Sequence, residues 1–87
     1  MSTDHKPENK KELARIKKAG GEVIMGRVNG NLNLSRSMGD FKYKDNKNLK
    51  CDEQLIVVVP DIKVRKLTKD DQYIILGCDG VWEILSN

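Results

Sequence analysis

Hydrophobic positions along the chain fall into short clusters, each with its own period. The most continuous is Tyr73-Ile74-Ile75-Leu76, which passes through Gly77-Cys78 to Asp79-Gly80 before an amphipathic segment resumes at Val81. A run of β-branched and aromatic residues of this length reads as a buried strand that delivers one carboxylate to its end. Upstream, Glu22 to Ser35 alternates on both sides of Asn29-Gly30, which predicts a hairpin with a type I′ turn. A two-residue loop there pairs Val28 with Asn31, Arg27 with Leu32 and Met25 with Leu34. Val23, Met25, Leu32 and Leu34 then share one face, with Arg27 beside them near the turn.

The remaining elements follow from the same patterning. Met1 to Glu8 reads as an entering loop. Asn9 is placed to cap a helix, with Glu12 three positions on as in a capping box and Leu13 and Ile16 as the apolar stripe. Gly20-Gly21 ends that helix, and its lysines and Arg15 are expected to face water. If Arg36 to Phe41 makes a helical turn, Arg36 and Asp40 lie four residues apart and pair. Lys42 to Glu53 is polar and predicts a mobile loop. Gln54 to Val59 predicts a strand that Pro60 interrupts, because proline has no backbone donor. Asp61 to Leu67 alternates imperfectly as a half-exposed strand, and Thr68 to Asp71 turns the chain back.

Composition narrows the class. Among 87 residues, 38% are hydrophobic and 33% charged, with only one Trp, one Phe and two Tyr, which suits one small soluble domain with a thin core. The longest apolar runs fall well short of the ~18 residues that cross a bilayer. No signal-peptide pattern opens the chain. Cys51 and Cys78 have neither metal-ligand spacing nor a disulfide framework, which fits a reducing, cytoplasmic or nuclear setting. The net charge of +3 hides an asymmetry: residues 1–50 carry 12 Lys or Arg against 6 Asp or Glu, and residues 51–87 carry 4 against 7. A basic half suits acidic or phosphorylated partners.

On local grounds Asp79-Gly80 has two readings. It can be a tight turn between two apolar segments, with Asp79 holding the loop. Alternatively its carboxylate is aimed at a hard cation such as Mg²⁺ or Mn²⁺, which takes oxygen ligands. One Asp does not complete such a site, and Asp40, Asp61 and Glu83 are the further carboxylates at hand. The single His, His5, supports neither a zinc pair nor a hydrolase triad.

Several motifs in order resemble one family. They are Asp4-His5-Lys6-Pro7, then Glu12, Arg15-Ile16 and Ala19-Gly20-Gly21. Next come Arg27-Val28-Asn29-Gly30-Asn31-Leu32 and Leu34-Ser35-Arg36-Ser37-Met38-Gly39-Asp40-Phe41, and the series closes with Cys78-Asp79-Gly80-Val81-Trp82-Glu83. Together they resemble an internal segment of the type 2C protein phosphatases, metal-dependent enzymes acting on phosphoserine and phosphothreonine in proteins. The resemblance implies an α+β fold, part of an antiparallel β-sandwich flanked by helices, with two Mg²⁺ or Mn²⁺ ions in a cleft at one end. It implies attack on phosphorus by a water or hydroxide bridging the metals, which lower its pKa and neutralise the phosphoryl oxygens. Asp79 matches a metal-ligating aspartate. Glu83 falls near a further metal site where many members have an aspartate. Residues 9–41 match a helix and a flap beside the active site, with Arg27 and Arg36 as substrate-side candidates, and residues 54–87 match core strands and the start of a helix.

The departures from the family pattern weigh more than the match. The family's Asp-Gly-His motif, its phosphate-contacting arginine and its Asp-Asn motif have no counterpart here, so the chain is expected to be a fragment of the catalytic domain and inactive alone. Asn33, Ser37 and Met38 stand where small or apolar residues are commoner. Excised strands would leave open edges and favour self-association. The competing reading is a non-catalytic module whose basic flap holds phosphorylated or acidic partners. Nucleic acid is not expected, since only Phe41 and Tyr43 interleave with the basic residues.

Overall fold

The computed structural model describes residues 1–86. They divide into two compact units, Asp4–Pro60 and a second made of Met1–Thr3 with residues 61–86. The elements are helix α1 (Lys10–Lys18), strands β1 (Val23–Ile24) and β2 (Arg27–Val28), a 3-10 turn at Phe41–Tyr43, and helix α2 (Asp79–Trp82). Helices with a two-stranded antiparallel sheet make an α+β composition.

In the first unit, α1 begins where expected, at N-cap Asn9, whose side chain makes no capping bond. It ends as the glycine pair requires. Gly20 takes φ +87°, and the N–H groups of Gly20 and Gly21 donate to the carbonyls of Lys17 and Ile16 at 3.0 and 2.9 Å. This is a Schellman closure, in which the left-handed residue turns the chain off the axis while satisfying the last carbonyls. A nine-residue helix is marginal alone, and this one is held by Ile16, which is buried with Val28, Tyr43 and Ile56 while Val23, Leu32 and Leu55 pack around them. Each such side chain contributes roughly 1.5–3 kcal/mol.

The hairpin differs from its predicted register. Val23 pairs with Val28 and Ile24 with Arg27, so the tight turn is Met25-Gly26, both at positive φ (50° and 74°). Asn29-Gly30 does turn the chain, but the Val28 N–H donates to the Leu32 carbonyl at 2.7 Å, closing three residues where two were expected. Burial decides the outcome. Val28 is fully buried, and bonding to both sides fixes its side chain in the core, a position the simple alternation does not single out. Met25, expected on the apolar face, is 94% exposed. A left-handed methionine is uncommon, so Met25 carries no local turn signal.

Downstream, Gln54 to Val59 forms no full strand. Arg36 and Val57 make one isolated parallel bridge, and Ile56 and Val57 are buried. The polar stretch before it is tied down. Gln54 is buried; its amide nitrogen donates to the carbonyls of Asn46 and Leu49 at 2.8 and 3.0 Å, and its Oε1 accepts from the Asn46 N–H at 3.2 Å.

In the second unit the turn at Thr68 to Asp71 is present: the Asp71 carboxylate accepts from the Thr68 N–H at 2.8 Å and pairs with Arg65. The two strands predicted on either side of it are not formed. Ile62, Val64, Leu67 and Tyr73 to Leu76 are all more than 70% exposed. A run of β-formers becomes a strand only when a neighbour supplies ladder partners and cover, and none does so among the described residues.

Candidate functional site

Asp79 stands at the start of α2. Cys78 is extended, and its carbonyl accepts from the N–H groups of Val81 and Trp82 at 3.0 and 3.1 Å, after which Glu83 N–H donates to the Asp79 carbonyl at 2.8 Å. The chain therefore passes from Cys78 into helix, which removes the reading of Asp79-Gly80 as the turn of a hairpin. The Asp79 carboxylate is exposed, and its Oδ1 accepts the Gly80 N–H at 2.9 Å. Four residues on, Glu83 falls on the same side of the helical turn. Behind them Trp82 folds back, its Nε1 donating to the Gly77 carbonyl at 2.6 Å, so the ring braces the segment that leads to Asp79.

Both carboxylates supply the hard oxygens that Mg²⁺ or Mn²⁺ takes. They fit as part of a donor set and do not complete one: no group of three or more His, Cys, Asp or Glu side chains is assembled among the described residues. Asp40 sits at φ 51° and accepts the Ser37 hydroxyl at 2.6 Å.

Arg36 does not pair with Asp40. Its Nη2 lies 2.5 Å from Glu12 Oε1, its Nε is 3.2 Å from both oxygens of that carboxylate, and its Nη1 donates to the Val59 carbonyl at 2.9 Å. Arg15, expected to face water, is turned inward. Its Nη1 lies 2.5 Å from Glu12 Oε2, and its other nitrogens donate to the carbonyls of Ser35, Gln54 and Leu55. Glu12 is 1% exposed. Burial acts to raise its pKa, but the hydrogen bonds from Arg36, Arg15 and Ser35 outweigh this and lower it from 4.5 to about 2. The capping-box reading missed this carboxylate. Its signal was phase, because Glu12 precedes the core residue Ile16 by four positions and so shares its face.

Arg27 takes the opposite position. It is exposed on β2, and its Nη1 donates to the Asn31 carbonyl at 2.8 Å. The guanidinium is presented at the surface beside the Asn29 turn.

The family model described as Protein phosphatase 2C matches residues 1–87. The chain belongs to the protein phosphatase 2C family. It is 59% identical over 88 residues to Protein phosphatase 1G of Homo sapiens, a match covering the whole chain and 16% of that protein. It is 55% identical over 87 residues to Protein phosphatase 2C 1 of Paramecium tetraurelia, covering the whole chain and 29% of that protein. The crystal structure of a phosphatase from a pathogenic strain of Toxoplasma gondii superposes with a TM-score of 0.68 at 49% identity, over 69% of this chain and 19% of that one. This protein phosphatase 2C segment thus spans less than a third of the curated relatives it matches.

Proposed function

We propose that the chain is a central part of the catalytic domain of a Mg²⁺- or Mn²⁺-dependent protein Ser/Thr phosphatase, working in the cytoplasm or nucleus on phosphoserine and phosphothreonine proteins. The observation that carries this reading is the family match over residues 1–87, which includes the exposed Asp79 at the start of α2. Asp79 holds a metal ion, and Glu83 stands beside it as a second oxygen donor. Bound cations supply a water of lowered pKa and neutralise the phosphoryl oxygens. The chain's own residues position and present. Trp82 braces the approach to Asp79, residues 9–41 form the helix and flap, and Arg27 offers an exposed guanidinium for a substrate phosphate or carboxylate.

Residues 54–87 contribute core strands and a helix start to the β-sandwich of the whole domain. That accounts for the exposed apolar run from Tyr73 to Leu76, whose ladder partners would lie on other strands. Alone, the 87-residue chain is inactive and self-associates through these open edges.

The test is a transplant. Residues 1–87 replace the corresponding segment of Protein phosphatase 2C 1 of Paramecium tetraurelia, and Mn²⁺-dependent hydrolysis of a phosphothreonine peptide is followed. The chimera should be active and its Asp79→Asn variant inactive, whereas an Asp79→Asn chimera with undiminished activity overturns the ligand assignment. Activity of the isolated chain that is lost in Asp79→Ala would overturn its predicted incompetence.

A further inference from the structure

Asn29 is the one asparagine of the chain that is followed by glycine. The pair sits at the centre of a turn closed by the Asn31 N–H on the Val28 carbonyl at 3.0 Å. Both residues have positive φ, 50° and 73°, as a type I′ turn requires, and both are exposed to water. This pairing is chemically reactive. The carboxamide carbon of an asparagine is an electrophile, and the backbone nitrogen of the next residue is placed to close a five-membered imide on it. Glycine, having no Cβ, leaves that nitrogen least hindered.

The folded turn engages both reacting groups elsewhere. Asn29 Oδ1 accepts the Glu22 N–H at 3.0 Å, which ties the carboxamide to the far strand of the hairpin. The Gly30 N–H, whose proton must be given up, donates to the Arg27 carbonyl at 3.2 Å. Around them the Asn29 N–H donates to the Glu22 carbonyl at 2.8 Å, and the Asn29 carbonyl accepts Asn31 Nδ2 at 3.0 Å. Beside them Val28 is fully buried, with its N–H on the Leu32 carbonyl at 2.7 Å. Swinging the Asn29 carboxamide onto Gly30 therefore means releasing the Glu22 and Arg27 bonds together. Such release is a local opening, which exposed turns undergo far more often than a core does.

We propose that Asn29-Gly30 is a spontaneous deamidation site, guarded while the hairpin is closed and reactive when it opens. The Gly30 nitrogen attacks Asn29 Cγ; the new C–N bond forms, the bond to the side-chain nitrogen breaks, and that nitrogen leaves as ammonia with the proton from Gly30. Water then opens the imide at either carbonyl and gives aspartate or isoaspartate. Aspartate keeps an oxygen for the Glu22 N–H and adds one negative charge to the turn that presents Arg27, whose Nη1 rests on the Asn31 carbonyl. Isoaspartate routes the backbone through the former side chain and lengthens it by one carbon. The bonds from Asn29 to Glu22 and from Asn31 to Val28 then lose their common register, and Val28 is drawn out of the core. One product is tolerated and the other loosens the first unit. The site stands independently of the phosphatase reading.

The experiment incubates the 87-residue chain in mildly alkaline buffer with and without denaturing urea, and follows the tryptic peptide 28–36 by fragment-ion mass spectrometry. In urea, Asn29 should convert well ahead of Asn31 and Asn33, which are both followed by leucine, and Gly30→Ala should slow it. Without urea the conversion of Asn29 should be at least about tenfold slower. Glu12→Ala, which removes the acid that fastens the first unit, should move the rate in buffer toward the rate in urea. The isoaspartate form, separated by chromatography, should lose amide-exchange protection at Val28, whereas Asn29→Asp retains it. Three results overturn the proposal: conversion as fast in buffer as in urea, no preference for Asn29 over Asn31 and Asn33 in urea, or an isoaspartate form with Val28 as protected as in the parent.

Discussion

Arg36 and Glu12 are joined across twenty-four residues by a guanidinium and a carboxylate 2.5 Å apart, both nearly shut off from solvent. Through this contact, helix α1 is fastened to the segment that leaves the hairpin. Arg36 also reaches the Val59 carbonyl, and Arg15, on the other side of the same carboxylate, reaches those of Ser35, Gln54 and Leu55. One acid thus organises two cations, and the two cations satisfy carbonyls from three separate stretches.

Removing that acid takes away the carboxylate that two inward guanidinium groups share. Glu12→Ala should lower the stability of the first unit by about 3–5 kcal/mol, the usual cost of breaking a buried pair from one side. Arg36→Lys should also destabilise, because an ammonium cannot reproduce the forked contacts to Glu12 and the Val59 carbonyl. Urea denaturation followed by circular dichroism measures both. A Glu12→Ala midpoint equal to that of the parent would show that the triad contributes nothing.

The same carboxylate sets a pH dependence. Its pKa in the folded chain is lowered from 4.5 to about 2, so the group stabilises the fold above its unfolded value near pH 4.5. That contribution, on the order of 3 kcal/mol, is lost as pH falls toward 2. Stability should therefore drop steeply over this interval, and Glu12→Gln should flatten the slope. Thermal unfolding at a series of pH values checks this. Added salt should change the slope little for the buried triad, whereas the exposed Lys18–Glu53 pair is screened.

The glycines after α1 are required for different reasons. Gly20 has φ +87°, and a side chain there would meet nothing within 4 Å, so Gly20→Ala should cost about 1–2 kcal/mol of backbone strain alone. At Gly21 an added Cβ would run into Leu55 Cδ2 and lie 3.1 Å from Asn29 Oδ1 and 3.2 Å from Ile16 Cγ2. Gly21→Ala should be the more damaging change and should loosen both the helix end and the Asn29 turn. Amide exchange at Val28 and Ile16 distinguishes the two variants; equal protection in both would refute the assignment.

What the sequence disclosed follows the range of the interactions involved. The helix end at Gly20-Gly21, the turn at Thr68 to Asp71 and the break at Asp79 are written in neighbouring residues, and each was readable. The hairpin register was not, because the burial of Val28 is decided by Ile16 and Ile56, which are distant in the chain. The inward turn of Glu12 and Arg15, and the partner that Arg36 takes in place of Asp40, escape for the same cause: each residue has a plausible local role, and the three meet only after α1 docks. Tyr73 to Leu76 shows the converse, a strand pattern with its partners missing among the described residues. Asp79 itself was picked out by chemistry plus family motifs, and no local rule would have chosen it over an ordinary turn.

Trp82 offers a direct handle on the Asp79 segment, since it is the chain's only tryptophan. Its Nε1–H donates to the Gly77 carbonyl at 2.6 Å, and a Cβ added at Gly77 would fall 2.9–3.1 Å from the indole ring. The ring and the glycine therefore need each other. Trp82→Phe keeps an aromatic ring but loses the donor, about 1 kcal/mol locally, and should free residues 77–79 without unfolding the first unit. Gly77→Ala should displace the indole and raise its quenching by acrylamide. If the indole of Gly77→Ala is quenched no more than that of the parent, the bracing of Asp79 by Trp82 is wrong, and the position of the proposed metal ligand must be set by α2 alone.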